Sequence, residues 1–209
     1  MKNGLTGHIK GKVGNLVFYT INGKQVTRTI GKTTKPPTEK QKQTHAEMAA
    51  INKFLKPVLE FISLGFALKA INTGKNAFNL ALGYNKKYAL QGNCADGISI
   101  DYEKVLLTQG SLCPPLNAAV SPGPQGLNFT WEVQQGTEWP ETTDQVMLLA
   151  YFPELQKAVY VLAGASRIKG ADVLPLQPAL LTAHMEVYIA FIAADRKKIS
   201  DSMYLGKVN

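Results

Sequence analysis

Acidic side chains, histidine and cysteine are all scarce in this chain: 209 residues carry 15 Asp+Glu, 3 His and 2 Cys against 23 Lys+Arg. Cys94 and Cys113 form no C-x-x-C pattern and have no histidine beside them. They read as two free, partly buried thiols, ahead of a disulfide or a metal role. His8, His45 and His184 are far apart and build no H-x-x-x-H or H-E-x-x-H pair, so no metal and no cofactor is expected. No G-x-S-x-G elbow occurs, and Ser166 in Gly164-Ala-Ser-Arg reads as a turn residue. No apolar run approaches the roughly 20 residues that span a bilayer, because Glu60, Ser63, Gly65 and Lys69 interrupt the richest stretch, Val58 to Ala70. The N-terminus also lacks the apolar core of a secretory signal. A soluble, cytoplasmic protein with no membrane partner is the expectation.

What is present is a lopsided charge. Residues 1–90 hold 15 Lys+Arg against 3 Asp+Glu, while residues 91–209 hold 8 against 12. Such asymmetry marks modules with different partners. With 45% hydrophobic and 18% charged residues the chain is globular rather than disordered.

Residues 11–30 read as a β-hairpin. Val13 to Thr20 is β-branched and aromatic, Asn22-Gly23 is a type I′ turn signal, and Gln25 to Ile30 returns. A two-residue turn pairs Ile21 with Lys24, Tyr19 with Val26 and Val17 with Arg28. Val17, Tyr19, Val26 and Ile30 then share one face, and Leu16 and Phe18 lie opposite Thr29 and Thr27 on the other. Both faces are apolar enough to want cover. Six large apolar side chains are too few to offset the ordering of some 18 residues, so the hairpin must lean on a neighbour, and its open edges suit strand addition.

Residues 31–37 form an extended basic linker ending in Pro36-Pro37. Thr38-Glu39-Lys40-Gln41 has the form of a capping box, which starts a helix at 39. Ala46, Ala50 and Phe54, beside Met48, Ile51 and Leu55, make its amphipathic stripe. Pro57 kinks or restarts it, and the second stretch runs to about Ala70. A third helix is expected over Lys75 to Leu90, with Gly92 just past its end. From about 100 onward the period becomes two. Leu127 to Val133 and Met185 to Phe191 alternate, and Val146 to Phe152, Ala158 to Ala163 and Ile199 to Leu205 read as further strands, with a turn at Pro122-Gly123-Pro124. About seven strands in roughly 100 residues, with a tryptophan on an early one, describe an immunoglobulin-like or fibronectin-III-like sandwich, a small β-barrel being the rival. The fold class expected is therefore α+β: an N-terminal hairpin and two to three helices over residues 1–95, then an all-β sandwich over 96–209.

Other motifs dissolve on inspection. Gly31-Lys32-Thr33 lacks the glycine five positions earlier that a phosphate loop requires, since position 26 is Val. Gly4-Leu5-Thr6-Gly7 and Gly11-Lys12-Val13-Gly14 precede a strand rather than joining two helices, so they read as turn glycines. Glu132, Glu138, Glu141 and Asp144 gather around one inferred loop and read as solvated charges, although paired carboxylates can bind Ca²⁺ or do acid–base work. Asn128-Phe-Thr130 has the glycosylation pattern but no secretory signal to make it matter.

The one feature that points to a ligand is the basic segment. Lys10, Lys12, Lys24, Arg28, Lys32 and Lys35, with Lys40 and Lys42, are interleaved with Phe18 and Tyr19. Cations around strand-borne aromatics can hold single-stranded nucleic acid through phosphate contacts and base stacking. The same charges also serve to keep a sticky hairpin soluble, or to meet an acidic protein surface. Lysine outnumbers arginine here, which disfavours oriented phosphate recognition.

Gly11-Lys12-Val13-Gly14-Asn15-Leu16-Val17-Phe18-Tyr19 followed by Asn22-Gly23-Lys24-Gln25-Val26-Thr27-Arg28 resembles the opening of an uncharacterised bacterial family described only as a domain of unknown function. Phe78-Asn79-Leu80-Ala81, Tyr84-Asn85 and Ile100-Asp101-Tyr102-Glu103-Lys104-Val105 resemble its middle. The resemblance covers nearly the whole chain and implies no activity, cofactor or site. The expectation is a non-enzymatic structural or protein-interaction protein that self-associates or joins a partner sheet edge through its hairpin, without a small-molecule ligand; the alternative is nucleic-acid binding through the basic half.

Overall fold

The structure is a computed structural model describing residues 9–32, 34–71, 73–93, 97–134, 136 and 138–209. Its compact units are Met1–Gln41 and Lys42–Asn209. The composition break had suggested a boundary at 95/96.

The first unit carries a three-stranded antiparallel sheet, β1 (Gly11–Val13), β2 (Leu16–Ile21) and β3 (Lys24–Thr29), in that order. The hairpin register is the expected one: Ile21 faces Lys24, Tyr19 faces Val26 and Val17 faces Arg28. Asn22 and Gly23 sit at φ 48° and 76°, the left-handed pair that a type I′ turn demands. One strand was not foreseen. Val13 to Thr20 is broken by a turn at Gly14–Asn15, and β1 folds back so that Val13 pairs with Leu16 and Gly11 with Phe18. Gly14 takes φ 54° to make that turn, and Ile30 N donates to Asn15 O at 2.8 Å.

α1 (Glu39–Leu55) opens on the capping box. Gln41 N donates to Thr38 Oγ1 at 3.4 Å, and Thr38 N donates to Gln41 Oε1 at 2.9 Å. Pro57 ends it, and α2 (Leu59–Gly65) and the short α3 (Ala67–Ala70) follow. α4 (Ala77–Tyr88) starts under Asn76, whose side chain accepts from Asn79 N at 2.7 Å. A small ribbon, β4 (Leu90–Asn93) with β5 (Gly97–Ile100), comes next.

Seven strands complete the chain: β6 (Leu116–Gly123), β7 (Gly126–Glu132), β8 (Gln145–Phe152), β9 (Lys157–Val161), β10 (Ala171–Pro175), β11 (Met185–Ile192) and β12 (Met203–Val208). They form two antiparallel sheets, ordered β10-β7-β6 and β12-β11-β8-β9. The turn expected at Pro122-Gly123-Pro124 falls at Pro124 and Gln125, so that Pro122 and Gly123 close β6. An edge strand tolerates proline because one row of its amides needs no ladder partner.

The four-stranded sheet is buried on both faces, which alternation alone did not reveal. Leu148, Ala150, Val187, Ile189 and Phe191 pack with Leu127, Phe129, Trp131 and Leu174 of the three-stranded sheet. On the opposite face Met147, Leu149, Tyr151, Tyr188, Ala190 and Ile192 pack with Ile51, Phe54, Leu55, Phe61, Ile62 and Ala81 of the helices. The result is a helix layer, a central sheet and an outer sheet. Helices that the composition assigned to a separate N-terminal module thus share a core with β8 and β11.

Two contacts fasten the helices to the 106–108 segment. Gly65 lies so close to the 107–108 segment that a Cβ there would stand 2.4 Å from Leu107 O. Asn85, fully buried, donates to Leu106 O at 2.8 Å and accepts from Leu106 N at 2.8 Å, pairing side chain to peptide as one strand pairs to another.

Candidate functional site

The register of the N-terminal sheet sorts its residues by face. Val17, Tyr19 and Ile21 of β2 point one way with Lys24, Val26 and Arg28 of β3 and Lys12 of β1. Lys10 directly precedes β1, and alternation carries it to the same side. A hydrogen bond from Gln25 Nε2 to Ile9 O at 3.1 Å spans the sheet just before it. The other face holds Val13, Leu16, Phe18 and Thr20 with Gln25, Thr27 and Thr29, and none of these is charged. Every charged residue within the three strands therefore lies on the Tyr19 face. Phe18, grouped with the cations from sequence, sits on the uncharged one.

No residue from 9 to 32 is buried. Val13 is 41% exposed, Leu16 39% and Ile21 51%, while Val17, Phe18, Tyr19 and Val26 are half-buried. Residues 1–41 hold 8 Lys+Arg against the single acidic Glu39. That stretch thus holds a net +7 of the chain's +8.

At the Gly14–Asn15 turn the surface is concave. A hollow of about 560 Å³ is lined by Lys12, Gly14, Asn15, Ile30 and Lys32. Lys12 reaches it from the end of the cationic face, and Lys32 from the segment that follows β3. Lys35 is exposed three residues further on. Sequence reasoning could name the lysines but not the hollow, because nothing in the pattern announced the extra turn that folds β1 back. Thr33, His8, Cys94 and Gly4 to Gly7 lie outside the described residues.

Elsewhere the polar groups are structural. Asp144, expected as a solvated loop charge, is 2% exposed and lies 3.0 Å from Arg167 Nη2, itself in a residue 5% exposed. Burial pushes the Asp144 carboxyl above its usual range, with Arg167 pulling the other way. Arg167 also donates to Cys113 O at 3.0 Å, stacks 4.2 Å from the Phe191 ring, and accepts from Trp131 Nε1 at 2.7 Å through its carbonyl. His184 does not stand alone either. Its Nε2 is 3.0 Å from Glu186 Oε1 and its Nδ1 2.6 Å from Asn209 O, and the Asn209 contact leads in holding its imidazole above the ordinary range. Tyr204 donates to the same Glu186, which is 5% exposed. Cys113 is a free thiol, exposed rather than partly buried as expected. Among the described residues no three His, Cys, Asp or Glu side chains group as metal ligands, and no helix is long and apolar enough to cross a membrane.

The chain belongs to the family of unknown function DUF6266, whose profile matches residues 8–206. That agrees with the resemblance carried by the Gly11–Arg28 pattern. No curated protein and no solved structure matches the chain.

Proposed function

We propose that this is a non-enzymatic structural or interaction protein that assembles through its N-terminal sheet. The observation that supports this reading is a three-stranded sheet without one buried side chain, whose uncharged face carries Val13, Leu16 and Phe18. Sheets of this size are stable when an apolar face is covered, and a second copy can cover this one without bringing its cations together. The outer backbone of β3 offers a second mode, strand addition, although Lys24 and Arg28 blunt that edge.

We also assign the seven C-terminal strands to an immunoglobulin or fibronectin-III type of sandwich. The support is their order. The first, second and fifth strands share one sheet, and the third, sixth and seventh share the other, with the fourth added beside the third.

Deletion of residues 1–36 tests the assembly. The buried hydrophobic core runs from Ile51 to Val208, and Thr38 with its capping box is retained, so the shortened chain should stay folded. Light scattering should find an oligomer for the full chain and a monomer for the shortened one. Identical states for the two, or a monomeric full chain, would remove the proposal.

A further inference from the structure

We infer that the Tyr19 face of the N-terminal sheet, together with the hollow at its Gly14–Asn15 end, binds single-stranded nucleic acid. This goes beyond assembly and uses the side of the sheet that assembly leaves open. Lys12 and Arg28 flank Val17 on either side, on strands about 10 Å apart, and Lys24 stands about 13 Å along β3 from Arg28. Tyr19 lies inside that frame beside Val26. Phosphates along an unpaired strand meet cations at both margins, while a base meets the tyrosine ring between them. Beyond Lys12 the hollow adds Lys32 and Asn15, so two cations border a concave place as well as a flat one. A duplex hides its base faces and cannot use Tyr19; an acidic peptide has no need of it. Because three of the four cations are lysines, the phosphate contacts carry charge without fixed orientation, and binding is tolerant of sequence.

The test is fluorescence anisotropy of a labelled 20-nucleotide oligothymidylate with the full chain. Four phosphates neutralised by Lys12, Lys24, Arg28 and Lys32 give a log–log salt slope of about −2.8, a loss of affinity of about 50-fold between roughly 50 and 200 mM salt. Arg28→Gln and Lys32→Gln change exposed side chains and should each reduce the slope to about −2.1, leaving a loss of about 20-fold. Tyr19→Ala should weaken binding by roughly 5- to 150-fold at unchanged slope, with Tyr19→Phe restoring it. Phe18→Thr, on the opposite face, should bind as the parent does. The inference is overturned by absence of binding at low salt, by a slope indifferent to Arg28 and Lys32, or by undiminished binding after removal of residues 1–36. Equal affinity for polyaspartate that ignores Tyr19→Ala would make the face a general anion binder and overturn it too. So would a preference for phosphatidylserine vesicles over the oligonucleotide.

Discussion

Asn85→Leu is the sharpest probe of what holds α4 to the 105–108 segment. Asn85 lies near the end of α4 with no exposed surface, and its amide makes three hydrogen bonds. Nδ2 donates to Ala81 O at 2.9 Å and to Leu106 O at 2.8 Å, and Oδ1 accepts from Leu106 N at 2.8 Å. Leu106 is itself 8% exposed, so its peptide groups have little access to water. Leucine has the same number of side-chain heavy atoms as asparagine and leaves no large void. It does leave the Leu106 amide and carbonyl unpaired. At about 1–3 kcal/mol per orphaned buried group, the cost is about 4 kcal/mol. Set against the 5–15 kcal/mol that holds a typical domain together, that is a large fraction.

Urea denaturation followed by circular dichroism reads the loss directly, and a melting temperature lower by roughly 8–16 °C should accompany it. Asn85→Ala should cost about as much as Asn85→Leu or somewhat more, because the hydrogen bonds dominate the cavity. Asn85→Asp keeps the acceptor for Leu106 N but turns a carboxylate toward Leu106 O and Ala81 O, so its penalty should grow as the pH rises above the carboxylate range. An Asn85→Leu protein within about 1 kcal/mol of the parent would show that packing, not peptide pairing, fastens α4, and the reasoning would fail.

The same residue shows where the sequence stopped being legible. In the sequence Asn85 is one more position of the helix expected over Lys75 to Leu90, since its partner is 21 residues away and nothing local points to it. The hairpin was legible down to its register because Asn22-Gly23 fixes a turn type and the turn fixes every pair. The helix start at 39 was legible for a similar reason: Thr38 and Gln41 are three residues apart and satisfy each other. By contrast, Met185 to Phe191 alternates whether its second face meets water or a helix, because tyrosine and alanine suit either side. Helix cover on that face was therefore invisible, and with it the shared core. Asp144 failed in the same direction. Its neighbours Glu138 and Glu141 suggested a wet loop, whereas the arginine that buries it is 23 positions later. For the N-terminal surface the cations could be counted, and the legible register already set Phe18 on the face opposite Tyr19. The hollow required the unforeseen turn of β1.

Three further outcomes follow from the packing and charge of the second unit. Arg167→Met leaves the Asp144 carboxyl buried without its partner and should cost about 3–5 kcal/mol in urea denaturation; adding Asp144→Leu should recover at least half, and strictly additive losses would refute the pairing. Gly65→Ala drives a Cβ to 2.4 Å from Leu107 O and should cost about 1–3 kcal/mol, whereas Gly83→Ala meets nothing within 4 Å inside α4 and should stabilise by up to about 1 kcal/mol. A gain in thermal stability from the first would contradict the close approach of α2 to the 107–108 segment, and a loss from the second would contradict the open space beside Gly83. The last outcome concerns His184, whose imidazole is held above its unfolded value first by Asn209 O, then by Glu186, with Glu154 adding to both. Proton binding is tighter in the folded state, so its contribution is fully present below a pH of about 6.5 and is lost as the pH rises through the raised folded value. His184→Gln should therefore lower the urea midpoint relative to the parent at about pH 5.5, and the difference should shrink toward pH 8. Glu186 accepts from Tyr204 on β12 as well as meeting His184, so the loss should be felt at that strand, as faster amide exchange from Met203 to Val208. If parent and variant keep a constant separation across the whole window, protonated His184 does not fasten the last strand.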